Sequence, residues 1–408
     1  MMKILFIITC VLLGLVGIYV LWAIFWGITG LCVRKTSYPE TKTKLRFAVM
    51  ICARNEARVI AQLIESLKAV HYPKNYFDIF VVAHNCTDDT AAVAEQAGAR
   101  VMILNDPDHA TKGAALHYGL ETVQNADGSY DAFAVFDADN LVDPEFLNEI
   151  NNAMGAGHPV VQGFRAAKNY HDNLLTKLFG MLWMAMAYAQ NLANTAVRLP
   201  VTINGTGFAA RFDCLTAAGW HTGTLCEDIE FSIQQMLAGN RVVAAGRARF
   251  YDEQPIKLSD GLNQRLRWAV GINQCFCRYI VDVIKAIPKR GIDAVKIAMD
   301  ICLNPVLISG AVGIALSMIL LAMEGVSGLI LLQILIGLCG CGWLIILPLS
   351  LNVIIKERLS LFKNLDVIIL FPLFLLLSGV LAFPAPFLMK SLKWKPVAHG
   401  CVKGVEEM

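Results

Sequence analysis

The sequence predicts an α/β domain with a parallel sheet, set between apolar segments long enough to cross a membrane. Three observations predict it. From 45 to about 293, short apolar runs alternate with amphipathic helical patterns, the pattern of strands joined by crossover helices. Residues 4–33 carry no charge, and about 20 apolar residues suffice for one crossing. The 408 residues are 56% hydrophobic and only 17% charged, where soluble proteins average about 25% charged.

The first segment, residues 1–33, reads as an uncleaved anchor, because signal peptides have shorter apolar cores and a small-residue cleavage site. Arg34, Lys35, Lys42, Lys44 and Arg46 follow it and only Lys3 precedes it. The positive-inside rule then places residues 34–293 in the cytoplasm. Within them RFAVMICAR, FDIFVVA, RVMIL and DAFAVFDAD read as strands. EARVIAQLIESLKAV, TDDTAAVAEQAGA and TKGAALHYGLETV read as the helices between them. Ligands bind beyond the carboxyl ends of such strands, so CARNE, HNCTDD and DADN should open onto one crevice. Residues 174–197 are apolar with polar breaks and fit either a core helix or one at the membrane surface.

Residues 294–390 hold three more apolar segments, about 294–323, 328–355 and 367–389. The loop EGVSG lacks Lys and Arg, whereas KERLSLFK carries both, so the latter should be cytoplasmic. One crossing before the domain and three after it would leave the basic tail, 391–408, outside. Either the last segment, broken by Pro384 and Pro386, is re-entrant, or the count is off by one.

A net charge of +2 gives no case for nucleic acid. The 12 cysteines include CFC and CGC, whose spacing does not suit zinc fingers. They read as reduced and mostly structural, in keeping with a cytosol-facing body. No G-x-G-x-x-G follows the first strand, which disfavours a dinucleotide-binding oxidoreductase.

Four runs carry chemistry. In AVFDADN, Asp137 and Asp139 sit where an apolar strand ends. Two such carboxylates repel each other unless a cation lies between them, and Mg²⁺ or Mn²⁺ with substrate phosphates suits them. In TLCEDIEFSIQQ, Glu227 and Asp228 open an amphipathic helix. They read as dipole-favoured helix acids or as a general base for a hydroxyl nucleophile. In QRLRWAVG, Gln264, Arg267 and Trp268 share one helical face. That face offers an amide, a guanidinium for phosphate and an aromatic plate for a sugar; an interfacial helix with Trp at headgroup level fits it as well. In NGTGF, the glycines allow close backbone approach to a ligand, or form a plain turn. Lys112 and Gly113 at a helix start read as a phosphate or base contact, or as an ordinary helix entrance.

In this order, CARNE, HNCTDDT, KGAAL, FDADN, NGTGF, CED and QRLRW resemble inverting family-2 glycosyltransferases over about 47–271. The nearest likeness is to the cellulose, chitin and hyaluronan synthase branch. The resemblance implies a GT-A fold, a UDP-sugar donor and a Mg²⁺ or Mn²⁺ cofactor held by Asp139 with Asp137. It implies Asp228 as catalytic base beside Glu227. Arg54, Glu56, Asn85, Lys112, Asp137, Asp139 and Arg267 would serve the donor, and Asn204, Gly205, Gln264 and Trp268 the acceptor. The chain departs from the family at His84, where many relatives carry an Asp that helps hold the nucleoside. It also has Cys226 before the acidic pair, and no F-x-V-T-x-K gating loop follows Trp268.

The expectation is a multi-pass plasma-membrane hexosyltransferase extending a β-linked polysaccharide from the cytoplasmic side. The alternative is a non-processive enzyme making a glycolipid, since ceramide glucosyltransferases carry a similar Q-x-x-R-W motif. A non-catalytic, degenerate nucleotide-sugar-binding membrane protein is the third reading.

Overall fold

The structure is a computed structural model and describes residues 2–127, 129–218, 220–392, 400, 401 and 404. The first element is α1 (Met2–Cys32), uncharged after Lys3. There follow β1 (Phe47–Ala53), α2 (Ile60–Lys68), β2 (Phe77–His84), α3 (Thr90–Gln96), β3 (Arg100–Leu104), α4 (Lys112–Asp127) and β4 (Ala132–Asp137). Next come β5 (Leu141–Val142), α5 (Phe146–Gly155), β6 (Val160–Ala167), α6 (Leu174–Met186), a π-helical turn (Ala187–Leu192) and α7 (Ala193–Ala196). β7 (Phe208–Arg211), α8 (Asp213–Ala218), α9 (Glu227–Ala238) and β8 (Val242–Asp252) complete the sheet region. The remaining helices are α10 (Leu258–Arg290), α11 (Ile292–Ile301), α12 (Leu303–Met323), α13 (Gly328–Lys356), α14 (Leu365–Ser378) and α15 (Ala385–Leu388).

Side chains alternate across a strand, and that alternation divides the interior into two cores. Phe47, Val49 and Ile51 of β1 face one core with Ile60, Leu63 and Ile64 of α2. Ala48 and Met50 face the other with Leu116 and Leu120 of α4. β4 repeats the division, with Ala134 and Phe136 on the first side and Phe133 and Val135 on the second. Both faces are covered, so the strands read as nearly continuous apolar runs.

The sheet order is β3-β2-β1-β4-β7-β6-β8-β5. β1 to β4 pair in parallel, but β7 runs antiparallel to both β4 and β6, and β5 antiparallel to β8. β6 pairs in parallel with β8, so six of the eight strands run in one direction, and the parallel sheet expected from strand–helix alternation is interrupted only by the reversed β7 and β5. The NGTGF run returns from the α6 and α7 excursion at the opposite end and inserts between β4 and β6, which no local pattern announces. The chain steps outward from β1 to β2 and β3, then crosses back to β4 on the other side of β1. That switch point opens a crevice at the carboxyl ends of β1 and β4.

Residues 174–197, open between core and membrane surface in sequence, form α6, the π turn and α7. α6 begins at an Asn173–Thr176 capping box and buries most of its residues. Phe179 meets Phe374 of α14, and Leu182 and Met184 join the core under the sheet. The helix thus lies between the sheet and the apolar helices.

Among the described residues, four stretches are long and apolar enough to cross a membrane: Met2–Cys32, Leu303–Met323, Gly328–Lys356 and Phe362–Ala382. The segment expected over 294–323 divides at Cys302. α11 packs through Ala294, Ile297 and Ile301 onto Ile233, Cys275 and Val283 of α9 and α10, leaving α12 as the apolar span. The last stretch has both ends against the α/β domain. At its start Tyr170 donates to Asn364 at 3.0 Å and Lys177 pairs with Asp366 at 3.0 Å. At its end Ala385 packs on Ala269 and Val270, and Gln274 donates to the Met389 carbonyl at 2.7 Å. α14 itself has 14 residues, or about 21 Å, short of the ~30 Å hydrocarbon core. With the 3-10 turns that flank it, the helical stretch Phe362–Ala382 reaches 21 residues, enough for one crossing. Most of the basic tail (393–399, 402–403 and 405–408) lies outside the described residues.

Gly207 fixes the β4–β7 junction. Its φ is +61°, and a Cβ there would lie 2.0 Å from the Phe250 ring. Its N–H donates to the Val135 carbonyl and its carbonyl accepts from Gly163, each at 2.8 Å. Gly207→Ala combines overpacking with left-handed strain, together about 2–4 kcal/mol. Its thermal midpoint in detergent should fall by roughly 5 °C or more. A midpoint equal to the wild type's would contradict this packing.

Candidate active site

One cavity lies where β1, β2 and β4 end. Arg54 and Glu56 reach it from the loop after β1, His84 from the end of β2, and Asp137 and Asp139 from the end of β4. The start of α4 contributes Lys112, the start of α9 Glu227 and Asp228, and α10 Gln264, Arg267 and Trp268. Asn204 and Gly205 line it from the loop before β7. The strand-end loops thus meet, as expected, and all but one of the candidate residues line a single cavity.

The exception is Asn85. Its side-chain amide donates to the Asp106 carbonyl at 2.7 Å, and its oxygen accepts from the Asp106 N–H at 2.8 Å. With φ at +52° it closes the turn after β2, a position Asn tolerates, and it is absent from the cavity wall. A turn role replaces the donor contact expected from the motif.

Lys112 organises the acidic groups. Its ammonium donates to Asp137 and, at 2.7 Å, to the Gly205 carbonyl, and lies 4.0 Å from Glu227. Burial alone would lower the Lys112 pKa; the charges of Asp137 and Glu227 outweigh it and hold the group above its usual value. Gly205, with φ at +85°, brings the backbone close enough that a Cβ would sit 3.7 Å from the Asp228 carboxylate. NGTGF is therefore a wall of the site as well as a turn.

Asp139 is 4% exposed and accepts from the Asn140 amide at 3.3 Å. Asn140 also accepts from the Thr206 hydroxyl at 2.5 Å, and Thr206 accepts from the Asp137 N–H at 2.9 Å. These bonds fix the DAD loop beneath the cavity. The donors offered there are carboxylate oxygens, which suit Mg²⁺ or Mn²⁺ completed by phosphate oxygens. No cluster of three or more His, Cys, Asp or Glu able to hold a metal occurs among the described residues.

Burial, then the adjacent Asp228 charge, pushes Glu227 up to about 7. Asp228 is raised too, chiefly by burial. Burial likewise lowers the His84 pKa and keeps the ring neutral. His84 Nε2 is buried without a hydrogen-bond partner among the described residues. A neutral imidazole in this position offers a nitrogen to a ligand in the crevice.

Sequence reasoning missed Arg165, Trp183 and Asp252, which also line the cavity. Asp252 had a signal: like Asp137, it is an acid closing an apolar strand. Arg165 stands in a strand whose every residue is buried, another legible anomaly. Trp183 had none, since one aromatic in an apolar helix is ordinary core.

A family model described as glycosyltransferase like family 2 matches residues 45–271. A probable glycosyltransferase of Bacillus subtilis is 28% identical over 60% of this chain and 59% of its own length. A beta-monoglucosyldiacylglycerol synthase of Nostoc is 26% identical over 57% of this chain and 50% of its own length. A probable glucomannan 4-beta-mannosyltransferase of rice (Oryza sativa subsp. japonica) is 28% identical over 43% of this chain and 30% of its length. The chain thus spans less than two thirds of the length of these curated relatives. Among solved structures, a mannosyltransferase of Pyrobaculum calidifontis, in complex with GDP-Man and Mn²⁺, aligns with a TM-score of 0.63. That alignment covers 95% of this chain and 98% of the other at 14% identity, a likeness of fold.

The acidic pair should titrate visibly. Raised carboxyl pKa values mean that the proton is held below about pH 7 and lost above it. In infrared difference spectra the protonated-carboxyl stretch should disappear near pH 7. In Glu227→Gln the transition near pH 7 should be lost, because the carboxyl that holds that proton is gone. An unchanged titration in that variant would contradict the assignment.

Proposed function

The chain belongs to the glycosyltransferase like family 2, and on that premise we propose that it transfers a sugar, with inversion, from a nucleoside-diphosphate sugar to an acceptor hydroxyl at a membrane surface. The observation that carries this reading is the convergence of Asp137, Asp139, Asp228, Arg267 and Trp268 on one cavity at the switch point of the sheet. Among nucleotide donors a UDP-sugar fits the sequence resemblance best, with His84 beside the base.

In this mechanism Asp228 takes the proton of the acceptor hydroxyl. The acceptor oxygen attacks the anomeric carbon from the face opposite the diphosphate. The bond from that carbon to the diphosphate oxygen breaks, and its electron pair stays with the diphosphate. Arg267 directs its guanidinium at the charge that develops there. Lys112 holds Asp137 and the Gly205 backbone in place, and Glu227 balances its charge. Asp137 and Asp139 would hold a divalent cation, which supplies charge neutralisation to the departing diphosphate.

Two products fit this chemistry. Extension of a β-linked polysaccharide follows from the Q-x-x-R-W face beside apolar helices. Addition of a single sugar to a lipid is favoured by Leu225, Leu266 and Leu392 on the cavity wall. These leucines belong to the apolar cluster formed by α10 and the residues around α15, which places apolar surface on the acceptor side. The excess of Lys and Arg at the domain-side helix ends fits a catalytic domain in the cytoplasm at the plasma membrane. Product length separates the two: a polymer ladder or one glycolipid.

Purified protein given UDP-glucose, UDP-N-acetylglucosamine, UDP-galactose or UDP-glucuronate should release UDP with one of them. EDTA should stop that release and Mn²⁺ or Mg²⁺ restore it. Asp228→Asn should lower transfer by about 10²–10⁴ with UDP affinity retained. Turnover within a few fold of wild type in that variant would remove Asp228 as the base.

A further inference from the structure

Arg165 is a buried cation on the cavity wall, 8% exposed, and its contacts are specific. Its Nε donates to Asp252 at 3.0 Å, one terminal nitrogen donates to the same carboxylate, and the other donates to the Asn204 carbonyl at 2.9 Å. Its guanidinium lies 3.6 Å from the ring centroid of Trp183. Trp183 in turn meets Trp268 edge to face, with centroids 5.1 Å apart and planes at 74°. The two indoles form a corner on the wall of the cavity.

Asp252 anchors this arrangement. It accepts from Asn140 at 2.8 Å, from Gln254 at 2.8 Å and from Arg165. A carboxylate with these donors on both oxygens is a poor metal ligand. Asn140 is the residue that also fixes the DAD loop. Hydrogen bonds therefore run from the acidic loop through Asp252 to Arg165, and ring contacts carry the chain on to Trp183 and Trp268.

We propose that Arg165 and Trp183 are positioning residues of the acceptor subsite, holding the Trp268 indole so that the acceptor presents a sugar ring to it. This rests on the glycosyltransferase reading above. An aromatic plate packs against the C–H face of a pyranose and offers little to a bare alkyl alcohol. The acceptor class is thus a glycan or glycolipid that ends in a sugar. Trp183 acts through Trp268, with one face occupied by Arg165.

The test uses the full chain in detergent, the donor that the wild type turns over, and two acceptors, octyl β-D-glucopyranoside and dioleoylglycerol. The wild type should use the glucoside in preference to dioleoylglycerol. Trp183→Ala leaves the Arg165–Asp252 pair intact and should raise the glucoside KM at least tenfold while the donor KM stays within twofold. Trp183→Phe should recover most of the loss. Arg165→Met should raise the glucoside KM in the same direction. The inference is overturned if the Trp183→Ala glucoside KM stays within twofold, if donor and acceptor KM rise together, or if the wild type prefers dioleoylglycerol. A wild type that releases no nucleotide with any donor overturns the glycosyltransferase reading, and the inference with it.

Discussion

The site depends on one electrostatic constraint: four carboxylates, Asp137, Asp139, Glu227 and Asp228, converge on one cavity, with Asp139 and Glu227 buried. Carboxylates brought together in a medium of low dielectric repel strongly and cost desolvation energy. The Lys112 ammonium answers part of that cost by bridging Asp137 and the Gly205 carbonyl beside Glu227. The start of α4 must therefore face the end of β4, the loop before β7 and the start of α9 at once. That requirement places the NGTG loop where two glycines are needed.

A second buried charge cluster joins the α/β domain to its apolar helices. Glu357, just after α13, accepts from Tyr188 at 2.6 Å and pairs with Arg249 at 2.7 Å and Lys35 at 3.1 Å. These groups come from the π turn, β8 and the residues after α1. Breaking such a pair on one side leaves a buried charge uncompensated, at about 3–5 kcal/mol. The cluster fixes the ends of α1 and α13 against the sheet, and α6 lies between. The same framework carries Trp183 to the cavity, so the acceptor wall and the membrane-facing helices form one construction.

Motifs bound to element ends were legible in the sequence because their chemistry and their local structure coincide. Asp137 and Asp139 close an apolar strand, Glu227 and Asp228 open an amphipathic helix, and Gln264, Arg267 and Trp268 share a helical face. Each could be placed without knowing the tertiary contacts. The antiparallel insertion of β7 was not legible, since it depends on where a long excursion returns. Asn85 belongs to a motif but serves its turn, a distinction carried by a left-handed φ that composition does not display. Arg165 and Trp183 matter only through each other, 18 positions apart in the chain and on different elements. The return of the chain onto α10 after α14, through the Met389 carbonyl, was not legible either, since tertiary contacts set it.

The account's central claim is a single displacement on the anomeric carbon, with Asp228 as the base. The most direct test is the anomeric configuration of the newly formed linkage, read from the one-bond carbon–hydrogen coupling at C1 in product made from a ¹³C-labelled α-linked nucleotide sugar. The account predicts a β linkage. An α linkage would contradict it, because retention needs a second nucleophilic step for which this cavity has been assigned no group.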